Sequence, residues 1–287
     1  MKILNAYTSG FRETVTRLRL VTIVYLFILI PSLLIAMAYL SAFSKATGFY
    51  LAPEKLMNGF DYTTYTELMK FEGDGISAIV KQAFWLVVFY VPVSLFVTGG
   101  ILHLLVNKDR RTGLAEFVSG GAGYFWRILK LKFYFSFIQM FFAFIIYLPF
   151  GIMIFLAEPG TFNEKEIFFK LLPFLIVHLI VAIYLFTIVN YAKIIIVSKD
   201  TRKVLRSLWE AVTFVTRRFA GAYSLTLLLS VIPLLLIYLY FKVFGFSSPE
   251  SGWAVFGAFI VQQVFLWLRA AMRIWFLAGQ TEYYGAF

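Results

Sequence analysis

Lys199-Asp200-Thr201-Arg202-Lys203-Val204-Leu205 stands between two long apolar runs. Lys108-Asp109-Arg110-Arg111-Thr112-Gly113-Leu114 repeats its Lys-Asp-x-Arg-x-x-Leu pattern 91 residues earlier. Each copy closes one apolar run and opens a basic amphipathic stretch that leads into the next. Long apolar runs joined by basic turns are the pattern of helices threaded through a membrane. The expected fold is all-α: a polytopic membrane helical bundle with no separate soluble catalytic domain.

Composition agrees. The chain is 61% hydrophobic and only 14% charged, with a mean hydropathy of +0.83. A soluble domain carries about 25% charged residues. There are no cysteines, which excludes a disulfide framework, a thiolate metal site and a thiol nucleophile. With two histidines, His103 and His178, an imidazole-rich metal centre is not expected, and no cofactor is called for. A net charge of +11 would suggest nucleic acid in a soluble protein. Here the Lys and Arg residues sit between apolar runs, so their meaning is topological and no nucleic-acid partner is expected.

Six stretches are long enough to cross: Leu20–Phe43, Ala83–Val106, Phe133–Ala157, Leu171–Val197, Ala220–Phe241 and Trp253–Ala278. Segments 1–19, 107–132 and 198–219 hold 4, 6 and 6 Lys or Arg. Segments 44–82, 158–170 and 242–252 hold 4, 2 and 1, and the first two have more acids than bases. The positive-inside rule then puts both termini on the cytoplasmic side. Ala36-Met37-Ala38 resembles a signal-cleavage site, but the run around it exceeds the 7–15 apolar residues of a signal sequence. An uncleaved first helix is expected.

The repeat extends past its tetrad. At the same offset Arg127 matches Arg218, and Phe117 matches Leu208. Val204, Leu205, Leu208, Trp209, Val212 and Val215 recur at helical spacing, with Arg202, Lys203, Arg206, Glu210 and Arg217 facing the other way, as in a basic helix lying on a membrane surface. Asp109 and Asp200 are placed to cap these helices. The N-terminus reads as a weaker third copy, with Phe11, Val15 and Leu18 on one face. Val15-Thr16-Arg17 echoes Val215-Thr216-Arg217. Basic amphipathic surface helices are thus expected before spans one, three and five. The single membrane domain 1–287 divides into hairpin repeats 1–108, 109–199 and 200–287. The competing reading is that basic turns between spans resemble one another without common ancestry.

Three basic residues fall inside spans. Arg269 and Arg273 share a face of the sixth span with Gln262, and Lys193 is one turn from Asn190 on the fourth. A cation in mid-membrane costs at least about 2.5–3.5 kcal/mol, so such side chains snorkel to headgroups or face the bundle. No acid lies within the spans to pair with them. Arg269, Arg273, Gln262, Lys193 and Asn190 therefore form the candidate site for an anionic headgroup or small anion. Gly99-Gly100 suits close helix approach. Ser119-Gly120-Gly121-Ala122-Gly123 lacks a phosphate-loop Lys and reads as a bend. In the 44–82 loop, Asp61 is placed to start a short helix carrying Tyr62, Tyr65 and Leu68.

Phe60-Asp61, Thr98-Gly99-Gly100-Ile101-Leu102 and Tyr124-Phe125-Trp126-Arg127 resemble a broad set of uncharacterised bacterial six-span integral membrane proteins. These are loosely similar to the membrane domain attached to some glycerophosphodiester phosphodiesterases. The resemblance implies a helical bundle of the bacterial cytoplasmic membrane. It does not carry over the hydrolase activity, because the catalytic domain has no counterpart here.

An enzyme is not expected: the chain has no Gly-x-Ser-x-Gly elbow, no His-Glu-x-x-His and no carboxylate pair in a span. A transport or lipid-associated component fits the repeat and the cationic sixth span. A scaffold or accessory subunit of a larger membrane complex fits the basic surface helices, whose partners would be anionic lipids or a membrane protein.

Overall fold

The computed structural model describes residues 2–47, 62–107, 113–157, 162–244 and 252–287, with side chains described only in part in the second and third helices. Hydrocarbon offers no partners for backbone amides, so apolar runs fold as helices that satisfy their own hydrogen bonds. Eight helices account for the described chain: α1 (Lys2–Thr16), α2 (Leu18–Thr47), α3 (Tyr62–Val106), α4 (Leu114–Phe155), α5 (Glu164–Ser198), α6 (Val204–Arg217), α7 (Phe219–Phe244) and α8 (Gly252–Gly285). There is no strand among the described residues. Five contain stretches long and apolar enough to cross a membrane: Val88–Val106, Leu114–Phe155, Glu164–Ser198, Phe219–Lys242 and Phe256–Gly285. In α2 the apolar stretch found is the shorter Leu18–Ile30, and the rest of the expected span Leu20–Phe43 falls largely on undescribed side chains.

Two expected breaks are absent. The external helix anticipated from Tyr62 runs without interruption into the second span as one helix of 45 residues. The glycine-rich stretch 119–123 is not a bend but part of α4. Gly120 and Gly121 serve close packing there, facing His103 and Phe96 of α3. Sequence-local signals do mark one helix start. Asn163 Oδ1 accepts from Glu166 N at 2.9 Å, and Asn163 N donates to Glu166 Oε2 at 3.3 Å, a capping box for α5.

The helices form three hairpins, α2–α3, α4–α5 and α7–α8. The first and third are preceded by a separate leading helix, α1 or α6, and the second by the first turns of α4 itself. Each leading segment packs on the last helix of the hairpin before it: α4 on α3, α6 on α5, and α1 on α8. The last of these contacts closes the series into a ring. α3, α5 and α8 also touch one another pairwise, so they form its centre.

Small residues make the ring contacts. A Cβ on Gly10 would lie 2.5 Å from Gly279 N, and one on Gly100 would lie 2.7 Å from Phe117 O. Three arginines follow the leading segments, and each reaches the end of its own hairpin. Arg17 donates to Leu104 O at 2.6 Å, Arg127 pairs with Asp200 beyond α5 at 2.5 Å, and Arg218 lies 3.9 Å from the Phe287 ring centre beyond α8. A cation at a helix C-terminus meets the negative end of its dipole. Both termini share this closed end, where Lys2 Nζ donates to Ala286 O at 3.3 Å.

The opposite end is open. Val88, Phe89, Tyr90 and Val91 are all exposed, as are Leu175, Ile176 and Val177, and Phe259, Ile260 and Val261. Consecutive exposed residues cover every side of a helix. Partners within a hairpin do stay in touch there: Tyr147 lies 5.4 Å from His178, Phe150 5.7 Å from Phe174, and Tyr240 4.3 Å from Phe265. The hairpins are bound together at one end and diverge at the other.

Gly10→Val will force α1 off α8, because the clash is with backbone. Overpacking of this kind costs about 1–3 kcal/mol. The expected result is a lower unfolding temperature in detergent, while Gly123→Ala, with nothing within 4 Å of its Cβ position, leaves it unchanged or raised.

Candidate functional site

Antiparallel hairpins bring the last helices of the ring side by side, with Arg273 near where packing gives way to the open end and Asn190 and Lys193 within the packed run of α5. Arg273 on α8 turns toward α3. Its Nη2 donates to Ser94 O at 2.6 Å, to Ser94 Oγ at 3.0 Å and to Thr98 Oγ1 at 2.7 Å. Lys193 on α5 donates to Asn190 Oδ1 at 3.0 Å. Arg269 is one turn from Arg273 on α8, α8 touches α5, and Lys132 lies on α4, which packs along α5. Four cations from three helices thus share one neighbourhood. Among the described residues no carboxylate pairs with any of them.

The expected site is brought together in part. Arg273 and Lys193 are half-buried, and Asn190 is 2% exposed with no partner for its Nδ2. Arg269 and Gln262 share Arg273's helix but are exposed, so they stand at the margin. Sequence reading missed Lys132, Ser94 and Thr98. Lys132 was counted with the basic turn 107–132, although it adjoins the span at Phe133. Ser94 and Thr98 are one turn apart, a spacing that could have marked a polar face on the second span.

A second polar contact joins the same helices to α7. Gln280 Nε2 donates to Thr226 Oγ1 at 3.1 Å, and Thr187 Oγ1 donates to the same oxygen at 3.2 Å. It ties α8, α7 and α5 together. Among the described residues no group of three or more His, Asp or Glu gathers that could hold a metal ion.

Asp200 does not cap α6. The N-cap position belongs to Lys203, whose side chain makes no capping bond. Asp200 instead ends α5 with a φ of 44°. Its N donates to Val197 O at 3.3 Å, and Thr201 N donates to Ile196 O at 3.2 Å, the two bonds of a Schellman ending. Its carboxylate is thereby aimed at Arg127. Asp109 lies outside the described residues, and the residue before α4 is Gly113.

The hydrogen bond from Arg127, and then its charge, hold the Asp200 carboxyl below its ordinary value of 3.8. A lowered carboxyl pKa contributes stability above the unfolded value, and the contribution is lost as pH falls through the folded value. The unfolding temperature of Arg127→Gln should therefore fall below that of the unmodified protein at neutral pH. The gap should close as pH drops below 3.8.

Comparison of the chain with protein-family models, with curated proteins and with solved structures finds no match.

Proposed function

We propose that this chain is a non-enzymatic, six-span protein of the bacterial cytoplasmic membrane with both termini inside. It acts as a transport or lipid-associated component that binds an anionic headgroup or small anion. The orientation draws on the basic turns, and the shared placement of Lys2 and Ala286 at one end agrees with it. On this reading the closed end is cytoplasmic, and the exposed Leu205 and Trp209 of α6, beside Arg202 and Arg206, rest on anionic headgroups.

The observation that carries the binding function is the cluster Lys132, Lys193, Arg269 and Arg273 without a carboxylate partner among the described residues. Ionisable groups in a membrane bundle are costly and persist where they pair, or face a ligand or a wet cavity. Here like charges approach one another, so an anion would relieve both desolvation and repulsion. The scaffold reading leaves this cluster without a role.

The three-hairpin layout is read as duplication. Gly10, Gly120 and Ala211 each stand seven residues before Arg17, Arg127 and Arg218, and each faces into the ring. Every hairpin begins and ends on the same side, so its order along the chain is free in principle.

Two results are expected. Inorganic phosphate or phosphatidylglycerol, whichever the site takes, will stabilise the purified protein by about 2.7 kcal/mol at a hundred times its dissociation constant, read as a rise in unfolding temperature. The double variant Lys193→Met/Arg273→Gln will lose the response; no response to either anion in the unmodified protein would end this reading. A circular permutant that joins Phe287 to Lys2 by a short flexible linker and opens at 108–112 will insert and unfold like the original.

A further inference from the structure

We propose that the ligand is one anionic phospholipid, held with its phosphate on Lys132, Lys193 and Arg273 and its acyl chains lying toward the open end between the diverging hairpins. This rests on the anion-binding reading above and specifies the substrate class.

Lys132 and Arg273 lie close to the level where burial ends, and Lys193 lies eight residues inside Leu185. Toward the open end the last buried residues are Leu95 on α3, Phe135 on α4, Leu185 on α5 and Ala270 on α8. Ser94 adjoins the first of these, Lys132 is three residues from the second, and Arg273 is three residues from the last. On one side of this level is packed protein. On the other, α5 and α8 are half-buried at 181–184 and 265–268, and Tyr25 of α2 donates to Gln263 Oε1 at 2.7 Å. Further out, at 88–91, 175–177 and 259–261, α3, α5 and α8 are exposed on every side although they touch one another at the closed end. Something apolar must fill the space between hairpins in a bilayer, and something anionic must meet the cations at its floor. A phospholipid satisfies both demands with one molecule. A free phosphate satisfies only the second.

Polarity and access agree. With the closed end cytoplasmic, a lipid of the inner leaflet already has its head toward the closed end and its chains toward the open end. Lys132 is exposed on α4, so it can meet a headgroup arriving from the side, whereas Lys193 and Arg273 lie further in. Asn190 Nδ2, in a side chain 2% exposed and without a partner, offers a donor beside Lys193. The groove at the closed end lined by Lys199, Trp209, Glu210, Arg217 and Arg218 differs in kind. There Glu210 already answers Lys199 at 2.8 Å, and Arg218 sits over aromatic rings.

The test uses the full chain in an uncharged detergent and three soluble probes: inorganic phosphate, dihexanoyl-phosphatidylcholine and dihexanoyl-phosphatidylglycerol. Burying one CH₂ group is worth about 0.8 kcal/mol, so two groups give about a tenfold gain. Calorimetric titration should show the phosphatidylglycerol binding at least about tenfold more tightly than either other probe. Lys193→Met and Lys132→Ala should each weaken it about tenfold without moving the phosphatidylcholine response. Lys132 is exposed, so its variant tests the site without risk to packing. Equal affinity for phosphate and phosphatidylglycerol would overturn the lipid assignment and leave the anion-binding reading standing. Equal affinity for the two lipids would also overturn it, since the head would then not rest on the cations. Binding of none of the three probes would remove both proposals.

Discussion

The approach of α1 to α8 through Gly10 and Gly279 is the contact on which the rest depends. Together with the α2–α8 and α3–α8 contacts it joins the third hairpin to the first and turns a row of three into a ring. Once the ring closes, α3, α5 and α8 touch one another, and Arg273 of α8 meets Ser94 and Thr98 of α3. The contact demands glycine because the two helices meet backbone to backbone, where a Cβ on Gly10 would lie 2.5 Å from Gly279 N. They gain from close backbone approach and from dispersion over that short distance. Gly99, Gly100, Gly120 and Gly121 serve the same purpose where α3 meets α4. The arginines then secure each hairpin, with Arg17, Arg127 and Arg218 reaching the ends of α3, α5 and α8.

That same physics explains which parts of the fold were legible in the sequence. Apolar runs and basic turns depend only on the medium, so the long helices after Phe133, Leu171 and Ala220 could be read from composition. Helix contacts could not be read by the rule that serves soluble proteins. On α1 the apolar face expected to lie on a membrane surface, Phe11 and Val15 with Leu18 just beyond, is at least 49% exposed. The packed face is Ala6, Gly10 and Thr14. Large residues turn outward and small ones turn in, because α1 meets α8 by close backbone approach. The glycine run of α4 misled for a related reason. Glycine weakens a helix in water, but neighbouring helices can hold it in place.

The site was legible in its charge but not in its company. Lys193, Arg269 and Arg273 stand out as cations inside apolar runs, which is a property of sequence alone. Their neighbours come from other helices, and no spacing rule links Lys132 or Ser94 to residues 60 to 180 positions away. Asp200 shows the converse failure. Its place before a helix suggested a cap, yet the helix it completes is the one behind it. The left-handed backbone at Asp200 and the reach of Arg127 decided its role. Neither can be seen in a pattern of residue types.

The departures from the repeat bear more on function than the repeat itself. Positions 91 residues apart in α3 and α5 pair Ser94 with Leu185, Thr98 with Val189, Gly99 with Asn190, and Leu102 with Lys193. Where one helix is polar the other is apolar or glycine. A ring of three equivalent hairpins would place equivalent side chains around its axis, and three equal cations there would repel without relief. The asymmetry instead divides the work. α3 supplies hydroxyls and a carbonyl to Arg273, α5 supplies a lysine and an amide, and α4 supplies an exposed lysine at the edge. The symmetric elements, small residues and end-docked arginines, hold the closed end together. The asymmetric ones gather charge on one side of it. A ligand meeting that charge would touch several hairpins at once, so its binding would bear on how far their free ends stand apart.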